Sequence, residues 1–356
     1  MNHDFGRRRS NEGVWPALLD AAEHIFWKLQ LYSIALLHLF FSTDKQWLQG
    51  TPNTHASAID ENASVESTTL CMDPEASVVT KTKRIVFVRH AESEWNVIFN
   101  RGFTFHAIVR FVRSLGREWL LLPTNDSILL DSPLSQRGRF QAHSLRDRVC
   151  NRPLYPIHDN TAPFYEHSPQ EREESSLLRY LFSPVPGSVV VASNLRRSID
   201  TARLVSAARL EVPGERIHVL SCLQEIGRNL DTLAISTPHN IQPHEVLVQG
   251  PQGEKHHEEL FSVAENYGNK AILGSGRNRL FRFAQWIFKH PSSVVIVYGH
   301  SLWFRAFCRE FLPQNVNHEA KSLKIGNCHV VTFLLEEYGR GEMVQYNIQP
   351  ESFQHL

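Results

Sequence analysis

Short β-branched runs alternate with helix-period stripes along most of the chain. Arg84-Ile85-Val86-Phe87-Val88, Ser188-Val189-Val190-Val191-Ala192 and Val294-Val295-Ile296-Val297-Tyr298 are continuously apolar rather than alternating. Such runs predict strands covered on both faces, as in α/β sheets. Residues 329–335 form a fourth run, and Ile217-His218-Val219-Leu220 a weaker fifth. Between them, Leu280, Phe283, Ala284 and Ile287 recur at i, i+3, i+4 and i+7, as do Phe304, Phe307, Cys308 and Phe311. Each set makes one apolar stripe on a helix. Ser135 is placed to cap a helix over 136–149, and Pro313 to stop one that begins near Ser301. The pattern predicts an α/β three-layer sandwich, with a mostly parallel central sheet and helices on both faces. Residues 103–130 and 151–186 read as lengthened connections, the second a surface loop.

The first 82 residues follow a different pattern. A polar start containing Arg7-Arg8-Arg9 leads into residues 15–41, rich in Leu, Ile, Phe and Ala. Its most apolar part, residues 31–41, is shorter than the about 20 apolar residues that span a bilayer, and Lys28 and Gln30 interrupt any extension backwards. Three readings compete: a helix packed on the domain or lying at a membrane surface, a signal anchor or spanning segment, and a cleaved targeting peptide. Residues 42–82 are rich in Ser, Thr, Asn, Asp and Glu, and read as a polar linker. The expected organisation is an apolar N-terminal helical segment over 1–41 that associates with a membrane or targets the chain, a linker over 42–82, and a catalytic domain over 83–356. On this reading residues 1–80 are dispensable for folding and activity.

Composition narrows the function. Basic and acidic residues balance at 37 each, without the cationic excess of a protein that binds nucleic acid through its phosphates. Five cysteines lie far apart with no C-x-x-C, against a disulfide framework or a cysteine zinc site and in favour of a reducing, intracellular setting, cytoplasmic or membrane-associated. His239, His244, His256 and His257 lack metal-ligand spacing. No metal or other cofactor is expected.

Three polar clusters sit where apolar runs end. Arg89-His90 follows the first, Ser193-Asn194-Leu195-Arg196-Arg197 the second, and Gly299-His300-Ser301 the third. Ligands of open α/β sheets bind at the carboxyl ends of strands. A site with two histidines and several arginines is cationic and suits an anion, most simply phosphate: guanidinium offers a planar fork to its oxygens, and a helix starting at Ser301 adds N–H groups.

These residues also carry a resemblance. Arg89-His90-Ala91-Glu92-Ser93-Glu94-Trp95-Asn96 resembles the R-H-G-E-S-x-W-N signature of the histidine phosphatase superfamily, the phosphoglycerate mutase-like proteins. Asp131-Ser132-Pro133-Leu134-Ser135-Gln136-Arg137-Gly138 followed by Gln141-Ala142, the run from Ser193 to Ala202, Leu223-Gln224-Glu225-Ile226, and Gly299-His300-Ser301 resemble its further blocks, in family order over residues 83–337. Ala91 stands where the family usually has Gly, and Asp200 where it has Gln.

The resemblance implies a phosphate monoester hydrolase. His90 would be the nucleophile, forming a phosphohistidine, and Glu225 the general acid and then base. Arg89, Arg197 and His300 would hold the phosphoryl oxygens, with Asn96 and Ser301 as further substrate-binding groups. The partner is then a phosphorylated substrate; small esters, sugar phosphates, phosphoproteins and inositol polyphosphates all remain open. Two alternatives use the same motifs, a phosphoglycerate-type mutase and a catalytically silent binding member. A hydrolase elbow at Gly299-His300-Ser301-Leu302-Trp303 lacks its last glycine and leaves too little chain for the rest of that fold.

Overall fold

The structure is a computed structural model that describes residues 14–48, 78–100, 102, 105–151, 169–242, 257–340 and 343–356. Arg7-Arg8-Arg9, most of the expected linker, and His244 and His256 lie outside the described residues. Among the described residues, ten helices and eight strands follow in chain order: α1 (Val14–Phe41), β1 (Val78–Arg89), α2 (Glu94–Phe99), α3 (Phe105–Leu121), α4 (Gln136–Cys150), α5 (Pro169–Phe182), β2 (Ser188–Ser193), α6 (Arg196–Val205), α7 (Ala207–Leu210), β3 (Ile217–Leu220), α8 (His257–Leu260), β4 (Phe261–Ser262), α9 (Gly276–Lys289), β5 (Val294–Gly299), α10 (Ser301–Phe311), β6 (Val330–Arg340), β7 (Met343–Ile348) and β8 (Gln354–His355). A single 3₁₀ turn spans Leu230–Thr232.

One eight-stranded sheet runs in the order β4-β3-β2-β5-β1-β6-β7, with β8 on β6. The pairs from β4 to β1 are parallel, and those made by β6 are antiparallel. The continuous apolar runs have a direct cause. Ile85, Phe87, Val295 and Val297 point to one face, into a core with Leu280, Phe283, Trp303 and Phe307 of α9 and α10. Val86, Val88, Ile296 and Tyr298 point to the other, against Ala142, Leu145, Leu178 and Ile199 of α4, α5 and α6. Successive residues of a strand face opposite ways, so a strand between two helical layers must be apolar throughout. The α/β three-layer prediction describes this chain.

Elsewhere the expected organisation needs correction. Residues 105–121 and 169–182 are helical, not looped. The expected linker over 42–82 is folded at both ends: β1 begins at Val78, and Asp44 is wholly buried. Helix α1 also packs on the domain. Leu31 and Ala35 pack with Leu130, Leu233 and Ile235. Lys28 is buried, its Nζ donating to the carbonyls of Leu121 and Asp126. Trp27 Nε1 donates to the Ile235 carbonyl at 3.2 Å. The sequence concealed this docking because the buried stripe of α1 includes Lys28 and His38 beside Leu31 and Ala35, while most of its large apolar side chains are exposed.

Candidate active site

Strands β2, β5 and β1 are neighbours in the sheet, so their carboxyl ends bring the three polar clusters together. Arg89 is the last residue of β1, and His90 follows it. The His90 N–H donates to the Gly299 carbonyl at 3.0 Å, tying the nucleophile candidate to the end of β5. Ala91 N–H donates to Thr201 Oγ1 at 3.0 Å, tying the same turn to α6. Gly138 is required beneath it: a Cβ there would lie 1.9 Å from the Glu92 carbonyl oxygen.

The buried His90 ring has Nδ1 2.6 Å from the carbonyl oxygen of Ala91. A carbonyl only accepts, so Nδ1 carries the proton and the lone pair is on Nε2. His300 caps α10 and stacks obliquely on His90, with ring centroids 5.1 Å apart. Both its nitrogens are buried without a hydrogen-bond partner among the described residues. Burial first, then Arg197 and Arg89, pushes the His90 imidazole well below the usual range. Burial first, then Arg197, His90 and Arg89, does the same for His300. Both rings are neutral near pH 7.

Arg197 stands in the first turn of α6, is buried, and donates through Nη1 to the Asp231 carbonyl at 2.6 Å, with Nη2 3.4 Å from Asp231 Oδ2. Arg89 donates through Nη1 to the Ile325 carbonyl at 2.7 Å, while its buried Nε has no partner among the described residues. The neighbouring Arg196 has a different task. Its backbone N–H donates to Asp131 Oδ1 at 2.8 Å, and its Nε to the Asp131 carbonyl at 2.8 Å. Asp131 sits at a φ of 46° in the turn that this network braces.

Glu225 is buried, and its Oε1 accepts from Trp303 N–H at 2.8 Å and from Ile226 N–H at 3.0 Å. Those donors and Arg197 favour the carboxylate, yet burial outweighs them and raises its pKa above the usual range. Behind it, Lys270 Nζ donates to the carbonyls of Glu225 at 2.7 Å and Gly227 at 2.6 Å, and to Asp44 Oδ2 at 3.1 Å. Arg279 closes the cluster on Asp44 at 2.9 Å. Burial acts against the Asp44 carboxylate, but the two cations hold it below its usual range. Burial, opposed by Asp44, brings Lys270 down to about 8. A Cβ on Gly276 would lie 2.6 Å from the Asp44 carbonyl oxygen, so this corner too is built around a glycine.

Arg89, His90, Arg197, Glu225 and His300 thus share one electrostatic neighbourhood. Asn96 is partly committed elsewhere: its Oδ1 accepts from Ser93 N–H at 3.2 Å, closing a capping box on α2, so only its NH₂ is a candidate ligand donor. Ser301 opens α10 beside His300 and is buried. Sequence reasoning missed Asp44, Asp231 and Lys270. Among the described residues no group of three or more His, Cys, Asp or Glu could hold a metal ion.

A family model for the histidine phosphatase superfamily (branch 1) matches residues 168–349, and the chain belongs to that superfamily. The match begins after the Arg89-His90 cluster, which the sheet sets beside the matched part. Among solved structures, a mycobacterial glucosyl-3-phosphoglycerate phosphatase is 15% identical, with 76% of this chain and 98% of that one covered and a TM-score of 0.35. A phosphoserine phosphatase variant from Entamoeba histolytica, in complex with phosphoserine, is 11% identical over 74% of this chain and 94% of that one, with a TM-score of 0.31. A structure described as mycobacterial hydrolase 1 is 12% identical over 76% and 97%, with a TM-score of 0.36. No curated protein matches the chain.

Proposed function

We propose that the protein is a phosphatase that hydrolyses a phosphate monoester through a phosphohistidine on His90. The observation that carries this reading is the His90 Nδ1–H held on the Ala91 carbonyl at 2.6 Å, which turns the Nε2 lone pair into the role of nucleophile. Nε2 attacks phosphorus as the ester P–O bond breaks. Charge gathers on the equatorial oxygens, where Arg89, Arg197 and the second imidazole, His300, stabilise it; such positioning and charge stabilisation dominate phosphoryl transfer. Glu225 gives its proton to the departing alcohol oxygen. As carboxylate it then takes a proton from water, which attacks the phosphohistidine, releases inorganic phosphate and restores the Nε2 lone pair. A dianion entering the site would also favour a proton on His300, whose nitrogens have no partner among the described residues.

The test is phosphate release from a panel of phosphorylated metabolites by the full chain and by His90→Ala. We expect turnover by the parent on at least one class of ester and a loss of several orders of magnitude in the variant. Activity of His90→Ala within about tenfold of the parent would contradict a covalent role.

A further inference from the structure

Helix α3 is built inside out. The side chains it buries are Ala107, Ser114 and Glu118, whereas Phe105, Ile108, Val112, Trp119 and Leu120 are each more than half exposed. Glu118 is the helix's only acid, and it is spent inward, accepting from Ser127 Oγ at 2.8 Å and from Ile128 N–H at 2.6 Å. The charges left on the outside are Arg113 and Arg117, with Arg110 half-buried; Arg117 also lies 4.0 Å from Glu94. Helix α1 repeats the apolar part of this arrangement but not its charge: Lys28 is buried, and Asp20 and Glu23 are exposed. Its inner stripe is Lys28, Leu31, Ala35 and His38, and its outer side shows Trp15, Leu19, Phe26, Phe40 and Phe41, all more than half exposed. The two helices meet where Lys28 Nζ reaches the carbonyl of Leu121, the last residue of α3. A soluble helix turns its large apolar residues to the core, and a monomer rarely exposes so extended an apolar surface.

We propose that the outer faces of α1 and α3 form one docking surface for an anionic lipid bilayer, with both helices lying in the plane of the interface. Aromatic and aliphatic side chains interleaved with arginines are what such an interface takes up: the apolar groups enter the acyl boundary and the cations meet lipid phosphates and carboxylates. Trp15 and Trp119 supply rings suited to the headgroup level. By length and composition α1 could cross a membrane, but spanning would strip Lys28 from its two carbonyls and Trp27 from Ile235, so the docked helix lies flat. The surface adjoins the active site: Phe99 of α2, which follows the His90 turn, packs against Phe111 of α3 with ring centroids 5.8 Å apart and planes tilted by 58°, and the 3₁₀ turn carrying Asp231 packs against α1.

The inference does not depend on catalysis, and flotation of the full chain with vesicles tests it alone. Binding is expected to vesicles of phosphatidylcholine with phosphatidylserine, and to weaken steeply without the anionic lipid. Arg113→Gln with Arg117→Gln should weaken it about thirtyfold, and Trp119→Ser with Leu120→Ser should abolish it. These side chains are exposed, so the variants should keep the parent's circular dichroism and melting; any variant that does not is replaced by Phe105→Ser with Ile108→Ser. Alkaline carbonate should release the bound protein. Failure to float, equal binding to neutral vesicles, or resistance to carbonate would each overturn the proposal. So would a stable dimer that the Trp119→Ser and Leu120→Ser changes dissolve, since that would assign the face to a second copy.

Discussion

Asp44 and Lys270 form a buried ion pair, 3.1 Å between Oδ2 and Nζ, that joins the segment after the N-terminal helix to the backbone of the candidate acid Glu225. Neither side chain is more than 1% exposed, and Arg279 adds a second cation to the same carboxylate. The carboxylate is the counter-charge for both. Lys270 in turn fixes the carbonyls on either side of Ile226, and so the direction of the Glu225 side chain.

Asp44→Asn should therefore destabilise the protein strongly. Removing one partner of a buried pair typically costs about 3–5 kcal/mol, because the other charge is left without compensation. Urea unfolding measures this, and phosphate turnover should fall in parallel. A variant within about 1 kcal/mol of the parent would show that water or another group compensates the cations. For the same reason, removal of residues 1–48 is expected to give an unstable, inactive protein, against the expectation drawn from the linker composition.

Strand runs and site clusters were legible because each depends on local pattern. Val86, Val190 and Ile296 lie in continuous apolar runs since both sheet faces are covered, and His90, Arg197 and His300 lie in the polar clusters that follow such runs. Helix α3 was not legible as a packed element: its large apolar side chains face outward and its inner face is Ala107, Ser114 and Glu118. Helix α5 buries Leu177, Leu178 and Leu181 at the end of a charged stretch whose polarity suggested a loop. Asp44 could not be found by any local signal, because its partner Lys270 is 226 residues away. Asp231 likewise stands in an unremarkable turn until the fold sets it against Arg197.

The raised pKa of Glu225 gives a directional test. Burial keeps its proton to a higher pH than an ordinary carboxyl holds it, so acid assistance is present below that raised pKa and lost as pH rises through it. Turnover of an alkyl phosphate, whose leaving oxygen is basic, should fall along that limb. Turnover of an activated aryl phosphate should not. Glu225→Gln should slow the alkyl ester by about 10²–10⁴-fold, remove the limb, and affect the aryl ester much less. Equal losses on both esters would argue against the role.

His38 offers a stability test. It is buried, and burial together with Lys270 lowers its pKa from 6.5 to about 4. Above the unfolded value neither state binds the proton, and the ring costs nothing electrostatically. Below it the unfolded chain takes up the proton first, so stability is lost as pH falls from about 6.5 towards 4. His90 and His300 act in the same direction. The melting temperature should drop over that window, and His38→Gln should make the drop shallower. An unchanged slope in the variant would show that His38 is already solvated in the folded protein.

The most direct measurement is rapid acid-free quenching of the enzyme during turnover, followed by mass spectrometry of the peptide that contains His90. We expect an acid-labile, alkali-stable phosphate on His90, formed and lost at rates compatible with turnover. Turnover without phosphate on this histidine, or phosphate trapped on another residue, would contradict the phosphohistidine mechanism.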